Sequence, residues 1–73
     1  MQIPSKKEVE LLRKRYPVGS RVRLIHMDDE CAPPEGTVGT IQGIDDIGDI
    51  MVAWDIGSSL KLIAECDSFS LEI

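Results

Sequence analysis

The stretch from Ile50 to Leu62, Ile-Met-Val-Ala-Trp-Asp-Ile-Gly-Ser-Ser-Leu-Lys-Leu, constrains the fold more than any other part of the chain. Side chains in an extended strand alternate between faces, so Ile50, Val52 and Trp54 share one face, and Leu60 and Leu62 share one face of the next run. Between them, Asp55-Ile56-Gly57 suits a short hairpin loop on a type I turn, with Gly57 in the left-handed conformation that a Cβ disfavours. The same triplet, Asp46-Ile47-Gly48, stands nine positions earlier, just before the first run. Two identical turn signatures, with β-type runs before, between and after them, predict an antiparallel meander.

A chain of 73 residues has room for one domain, here spanning 1–73. Chains of this size bury only roughly 60% of the surface they expose when unfolded, which leaves a thin stability margin. A 42% hydrophobic and 29% charged composition is that of a folding chain rather than a disordered one. No run approaches the length of a membrane span, and the N-terminal lysines are not followed by the apolar stretch of a signal peptide, so a cytoplasmic setting without a membrane is expected. Cys31 and Cys66 belong to no Cys-x-x-Cys pair and read as reduced thiols. The net charge of −5 conceals a division: through Arg23 there are seven Lys or Arg against two Glu, and from Leu24 onward one Lys against eleven Asp or Glu. A basic front segment and an acidic remainder can serve a nucleic-acid arm, an acidic partner-binding face, or attraction between the two halves.

Ser5-Lys6-Lys7-Glu8 is a capping-box pattern, so a helix over about 5–16 is expected. Val9, Leu12 and Tyr16 recur at helical spacing, and Leu11 widens the apolar stripe. Arg13, Lys14 and Arg15 place positive charge at the helix C-terminus, and Pro17 ends it. A helix this short needs a surface to pack on. From about residue 20 the pattern turns to strands. Val22 and Leu24 alternate with Arg21 and Arg23. Asp28 to Gly36, with its acidic triplet and Pro33-Pro34, reads as the longest loop, in an extended polyproline-like path. Thr37 to Ile44 reads as a second strand, in which Val38 and Ile41 fall out of phase and Gly39 and Gly43 point to a bulge. Phe69, Leu71 and Ile73 alternate to the last residue, as a short strand that would close a barrel against the first. The fold expected is mainly β, a five-stranded antiparallel SH3-like barrel over about 20–73 carrying an N-terminal amphipathic helix.

Tyr16-Pro17-x-Gly19-x-Arg21-Val22-x-Leu24, Met27-x-Asp29, Pro33-Pro34-x-Gly36-Thr37-x-Gly39-Thr40, Asp45-Asp46-x-Gly48 and Trp54-Asp55-x-Gly57-Ser58-Ser59-Leu60 together resemble one short family. It is the bacterial and phage family catalogued as domain of unknown function four-three-one-four. The resemblance runs from about Tyr16 to Asp67. More loosely, Gly-x-x-Gly-Thr followed by Trp-Asp-x-Gly is similar to many SH3-like barrels. The family implies a fold and no activity, and a fold does not supply a function.

Two binding readings follow from the residues. In the first, the acidic, proline-bearing loop is a protein-binding face, with Asp28, Asp29, Glu30, Pro33 and Pro34 as its contacts; its plainer counterpart is a solvated connector. A polyproline groove is disfavoured, because such grooves are lined by several aromatic residues and this chain holds only Tyr16, Trp54 and Phe69. In the second, Lys6, Lys7, Arg13, Lys14, Arg15, Arg21 and Arg23 contact phosphates of a nucleic acid, with Tyr16 as a stacking residue. A sequence pI near 4.6 is the reverse of the usual nucleic-acid binder's, and a basic helix lying on an acidic barrel accounts for both halves without a ligand. His26, Cys31 and Cys66 lack the close ligand pairs of zinc sites, and Asp45, Asp46 and Asp49 lack the register of a calcium loop, so no metal and no cofactor is expected. One histidine, no nucleophile motif and little volume for a pocket argue against an enzyme. The expectation is a non-catalytic protein-interaction module, with a nucleic-acid adaptor acting through the helix as the alternative; partner identity and oligomeric state lie outside what the residues specify.

Overall fold

The computed structural model describes residues 4–72. Helix α1 covers Lys6–Arg15, and strands β1 to β5 cover Arg21–His26, Val38–Ile44, Asp49–Trp54, Leu62–Ile63 and Ser68–Glu72. The helix starts where its first amides find partners. The Glu8 amide donates to Ser5 Oγ at 3.2 Å, and the Ser5 amide donates to Glu8 Oε1 at 3.4 Å, which completes the reciprocal cap. Val9 is buried and Leu12 and Tyr16 pack against the same core, whereas Leu11 is 57% exposed. Leu11 therefore does not belong to the seated stripe: one residue round the helix from Leu12, it is turned off the sheet.

The five strands form one antiparallel sheet in the order β4-β3-β2-β1-β5. The last strand does return to the first, with Val22 opposite Leu71 and Leu24 opposite Phe69. Closure is where the expectation fails, because β4 and β5 are the two edges and the sheet is not a closed barrel. The cause is local. Asp67 Oδ2 accepts the Ile63 amide at 2.7 Å, and the Ile63 carbonyl accepts the amides of Cys66 and Asp67 at 3.0 and 2.9 Å. The outer edge of β4 is thus satisfied by the turn that follows it and has nothing left to offer β5. Ile73, expected to end the last strand, lies outside the described residues.

The link from β3 to β4 also differs from a short hairpin. The turn forms as read, with the Gly57 amide donating to the Trp54 carbonyl at 2.8 Å and Gly57 at φ 96°. Pairing then resumes only at Leu62, opposite Ile50. Leu60 is in no strand, because its carbonyl accepts the Trp54 indole N–H at 2.8 Å. A buried indole needs that acceptor, and residues 55–61 bend to supply it.

The core is one cluster: Val22 and Leu24 from β1, Ile41 and Ile44 from β2, Ile50, Val52 and Trp54 from β3, Leu62 from β4, with Met27 and Val9. Each fully buried aliphatic side chain contributes about 1.5–3 kcal/mol of transfer free energy. Ile41 and Ile44 are both inside although three positions apart, which simple alternation forbids. The register shifts between Ile41 and Gly43, and this bulge returns Ile44 to the inner face.

Candidate functional site

Two open grooves flank β4. The first, of about 600 Å³, has Met27, Asp28, Asp29 and Cys31 on one wall and Ser58 to Lys61, Cys66 and Asp67 on the other. It runs along the β4 side of the unclosed seam, and no residue of β5 lines it. The second, of about 620 Å³, lies between α1 and β4, with Leu11, Leu12 and Arg15 facing Ile47, Ile63 and Ala64. Asp49, Ile63 and Cys66 border both. Each volume exceeds what a chain this short was expected to hold.

The second groove presents the larger apolar surface, and it collects aliphatic side chains that the fold leaves in water. Leu11, Ile47 and Ile63 are 57%, 53% and 41% exposed and come from a helix, a turn and an edge strand. Each breaks the pattern of its own element. Leu11 stands beside the helical stripe, Ile47 sits in a turn between Asp46 and Gly48, and Ile63 points opposite to buried Leu62. The sequence pattern places Leu11 in the helical stripe and does not single out Ile63, because taken singly each of the three is an ordinary surface residue.

The ground beneath the groove is held by Asp45. Its Oδ1 accepts the amides of Ile47 and Asp49 at 3.2 and 2.9 Å, and its Oδ2 accepts from Lys61 Nζ at 2.9 Å. Partial burial works to raise the Asp45 carboxyl, but Lys61 and the two amides outweigh it and hold it below the usual carboxylate range. Across the sheet, hydrogen bonding to Arg21 likewise lowers Asp55.

The family model described as a domain of unknown function, DUF4314, matches residues 5–71. The chain belongs to the DUF4314 family. Among curated proteins and among solved structures nothing matches. The DUF4314 match begins at the N-cap and ends in β5, so helix, sheet and both grooves fall within it, apart from Glu72 at the end of β5 and Pro4 in the lining of the second groove.

On this DUF4314 scaffold the acidic loop splits. Asp28, Asp29, Glu30 and Pro34 are exposed, and Asp28 and Asp29 reach the seam groove. Pro33 is buried, so it anchors the loop instead of presenting a surface. Asp29 Oδ1 accepts the Cys31 amide at 2.7 Å, which fixes the bend that brings Cys31 to the groove. The seven basic residues split too. Arg21 pairs with Asp55 in the turn after β3, and Arg23 with Glu72 of β5. Arg13 donates to the Ile44 carbonyl at 3.0 Å and to Asp46 at 3.3 Å. Among the described residues Lys6, Lys7, Lys14 and Arg15 form no ion pair, and Arg15 lies over the Tyr16 ring at 5.7 Å.

Cys31 and Cys66 are free, exposed and on the same seam groove. His26 ends β1 with its Nδ1 2.9 Å from Glu35 Oε2, and it borders neither groove. Among the described residues no three His, Cys, Asp or Glu side chains come together in a way that would hold a metal ion. No described helix is long and apolar enough to cross a membrane.

Proposed function

We propose that this DUF4314 domain is a non-catalytic, cytoplasmic protein-interaction module that receives an aliphatic segment of a partner protein in the groove between α1 and β4. The observation that carries this is the convergence of Leu11, Ile47 and Ile63, exposed and drawn from three separate elements, on one groove of about 620 Å³. The aliphatic side chains of Leu11, Leu12, Ile47 and Ile63 suit a ridge such as an amphipathic helix presents, and Glu8, Arg15, Asp49 and Glu65 in the same lining suit the polar residues that flank such a ridge. Asp28, Asp29, Glu30 and Pro34 then form a flanking acidic surface, beyond the seam groove, for basic residues of the same partner.

A photo-crosslinking residue at Ile63, compared with one at Ile25 on the outer face of β1, tests this in the native host. A discrete crosslinked protein at position 63, absent at position 25 and lost with Leu11→Asp, is the expected result. Equal or absent crosslinking at both positions removes the groove as the binding face.

The alternative, a nucleic-acid adaptor, draws its support from Lys6, Lys7, Lys14 and Arg15, whose charges are not spent on ion pairs among the described residues. Arg13, Arg21 and Arg23 are occupied within the fold, and the sheet carries the acidic excess, so the protein reading is preferred. Binding of a DNA or RNA oligomer at low salt that weakens steeply with added salt and with Lys6→Gln and Lys7→Gln would reverse that preference.

A further inference from the structure

The two edges of the sheet are treated differently. On β4, Asp67 and the turn amides consume the outward backbone groups of Ile63. On β5 nothing comparable occurs among the described residues, where Ser68–Glu72 pairs with β1 alone. Which of its groups face outward follows from β1. The Leu24 amide donates to the Thr37 carbonyl at 2.8 Å, and the Leu24 carbonyl accepts the Gly36 amide at 2.7 Å, so Leu24 faces the β2 side. Backbone direction alternates along a strand, so Arg21 and Arg23 face β5, where they oppose Glu72 and Ser70. The amides and carbonyls of Phe69 and Leu71 therefore point away from the sheet.

We propose that β5 is a self-association edge, at which two copies of this chain pair antiparallel about a two-fold axis through Ser70. In that register Phe69 of one copy opposes Leu71 of the other, and each such pair exchanges the outward amide and carbonyl bonds. The match extends to the side chains. Phe69 and Leu71 both lie on the inner face, opposite Leu24 and Val22, and Leu71 is still 38% exposed. Phe69 already packs on Tyr16 with ring centroids 5.4 Å apart, so each aromatic–aliphatic cross-pair extends an existing apolar cluster. No like charges meet. Glu72 opposes Ser68 of the second copy, and its carboxylate is already paired with Arg23. The strand carries no Lys, Arg or Pro, the residues with which exposed edges are commonly guarded. An interface of five residues a side is below the roughly 1,200–2,000 Å² of stable complexes, so the dimer is weak and concentration-dependent.

Sedimentation velocity from about ten micromolar to about one millimolar should show a reversible monomer–dimer equilibrium. Amide exchange at Phe69 and Leu71 should slow with rising concentration. Leu71→Pro deletes one outward amide, a change an edge strand tolerates, and should leave a folded monomer. Ser70→Lys and Ser70→Glu each place like charges at the axis and should be monomeric alone; mixed, they should restore the dimer. That rescue separates lost pairing from lost folding. A monomer at every concentration, a dimer unaffected by S70K and L71P, or protection confined to other amides overturns the proposal.

Discussion

At Gly39 the sheet leaves no room for a side chain. A Cβ there would stand 2.6 Å from Val52 Cγ1, 2.9 Å from the Ala53 carbonyl oxygen and 2.9 Å from Trp54 Cε3. The carbonyl belongs to the paired strand and has no rotamer by which to withdraw. Gly39→Ala should therefore cost about 3 kcal/mol of unfolding free energy, at the upper end of overpacking, measured by denaturant titration followed through Trp54 fluorescence. A loss under about 1 kcal/mol would mean that β2 can shift as a body. Asp45 gives a prediction with a sign. Its carboxyl is held below the ordinary range, so the ionised form favours the folded state: the contribution is complete above the unfolded carboxyl's pKa, near 3.9, and is lost as pH falls through the lower folded value. Asp45→Asn keeps an oxygen for the Ile47 and Asp49 amides but removes the charge facing Lys61. The variant should be less stable than the parent near neutrality, and the gap should narrow below about pH 4. Thermal melts of both proteins across that range measure it, and a gap independent of pH would assign the whole effect to the turn.

For the elements, legibility followed how local each cause was. The capping box, the two Asp-Ile-Gly turns and the bulge near Gly43 are short-range devices, and residues a few positions apart sufficed to place α1, β2 and β3. Ser5→Ala should correspondingly cost about 1 kcal/mol, read as a lower unfolding midpoint in a denaturant titration, because the Glu8 amide loses its acceptor. What the pattern misplaced was set by contacts between distant residues. The bend of residues 55–61 exists to bring the Leu60 carbonyl to the Trp54 indole, and alternation alone cannot distinguish a strand from an extended segment bonded to a side chain. The closing of the sheet failed for a similar reason, since nothing in Asp67 announces that its carboxylate will take an amide of β4. The candidate site was legible only in part. Its acidic loop was visible as a charge cluster, but the burial of Pro33 and the meeting of Leu11 with Ile47 and Ile63 depend on how the helix lies on the sheet.

Across the whole molecule, the division into a basic front and an acidic remainder invites the view that charge seats the helix. The contacts point elsewhere. Arg13 with Asp46 is the ion pair between α1 and the rest among the described residues, and the Asp46 side chain is fully exposed. Such pairs are worth at most about 1 kcal/mol and are screened by salt. The other described pairs of Lys or Arg with a carboxylate, Arg21 with Asp55, Arg23 with Glu72 and Lys61 with Asp45, lie outside the helix and join parts of the sheet and its loops. Val9, by contrast, is only 3% exposed and is part of the core itself, with Leu12 and Tyr16 packed beside it. A ten-residue helix is below the ~12–15 residues at which isolated helices become marginal, so α1 exists only while that apolar seat does. Helix and sheet should accordingly melt as one unit, with ellipticity and Trp54 fluorescence giving the same midpoint, and raising the salt should move that midpoint by no more than a few degrees. Val9→Ala should lower both signals together, by about 2 kcal/mol, whereas Arg13→Gln should cost less than that and should reduce what salt sensitivity there is. Separate midpoints, with the helical signal lost first on adding salt, would show that the charges hold α1 in place after all.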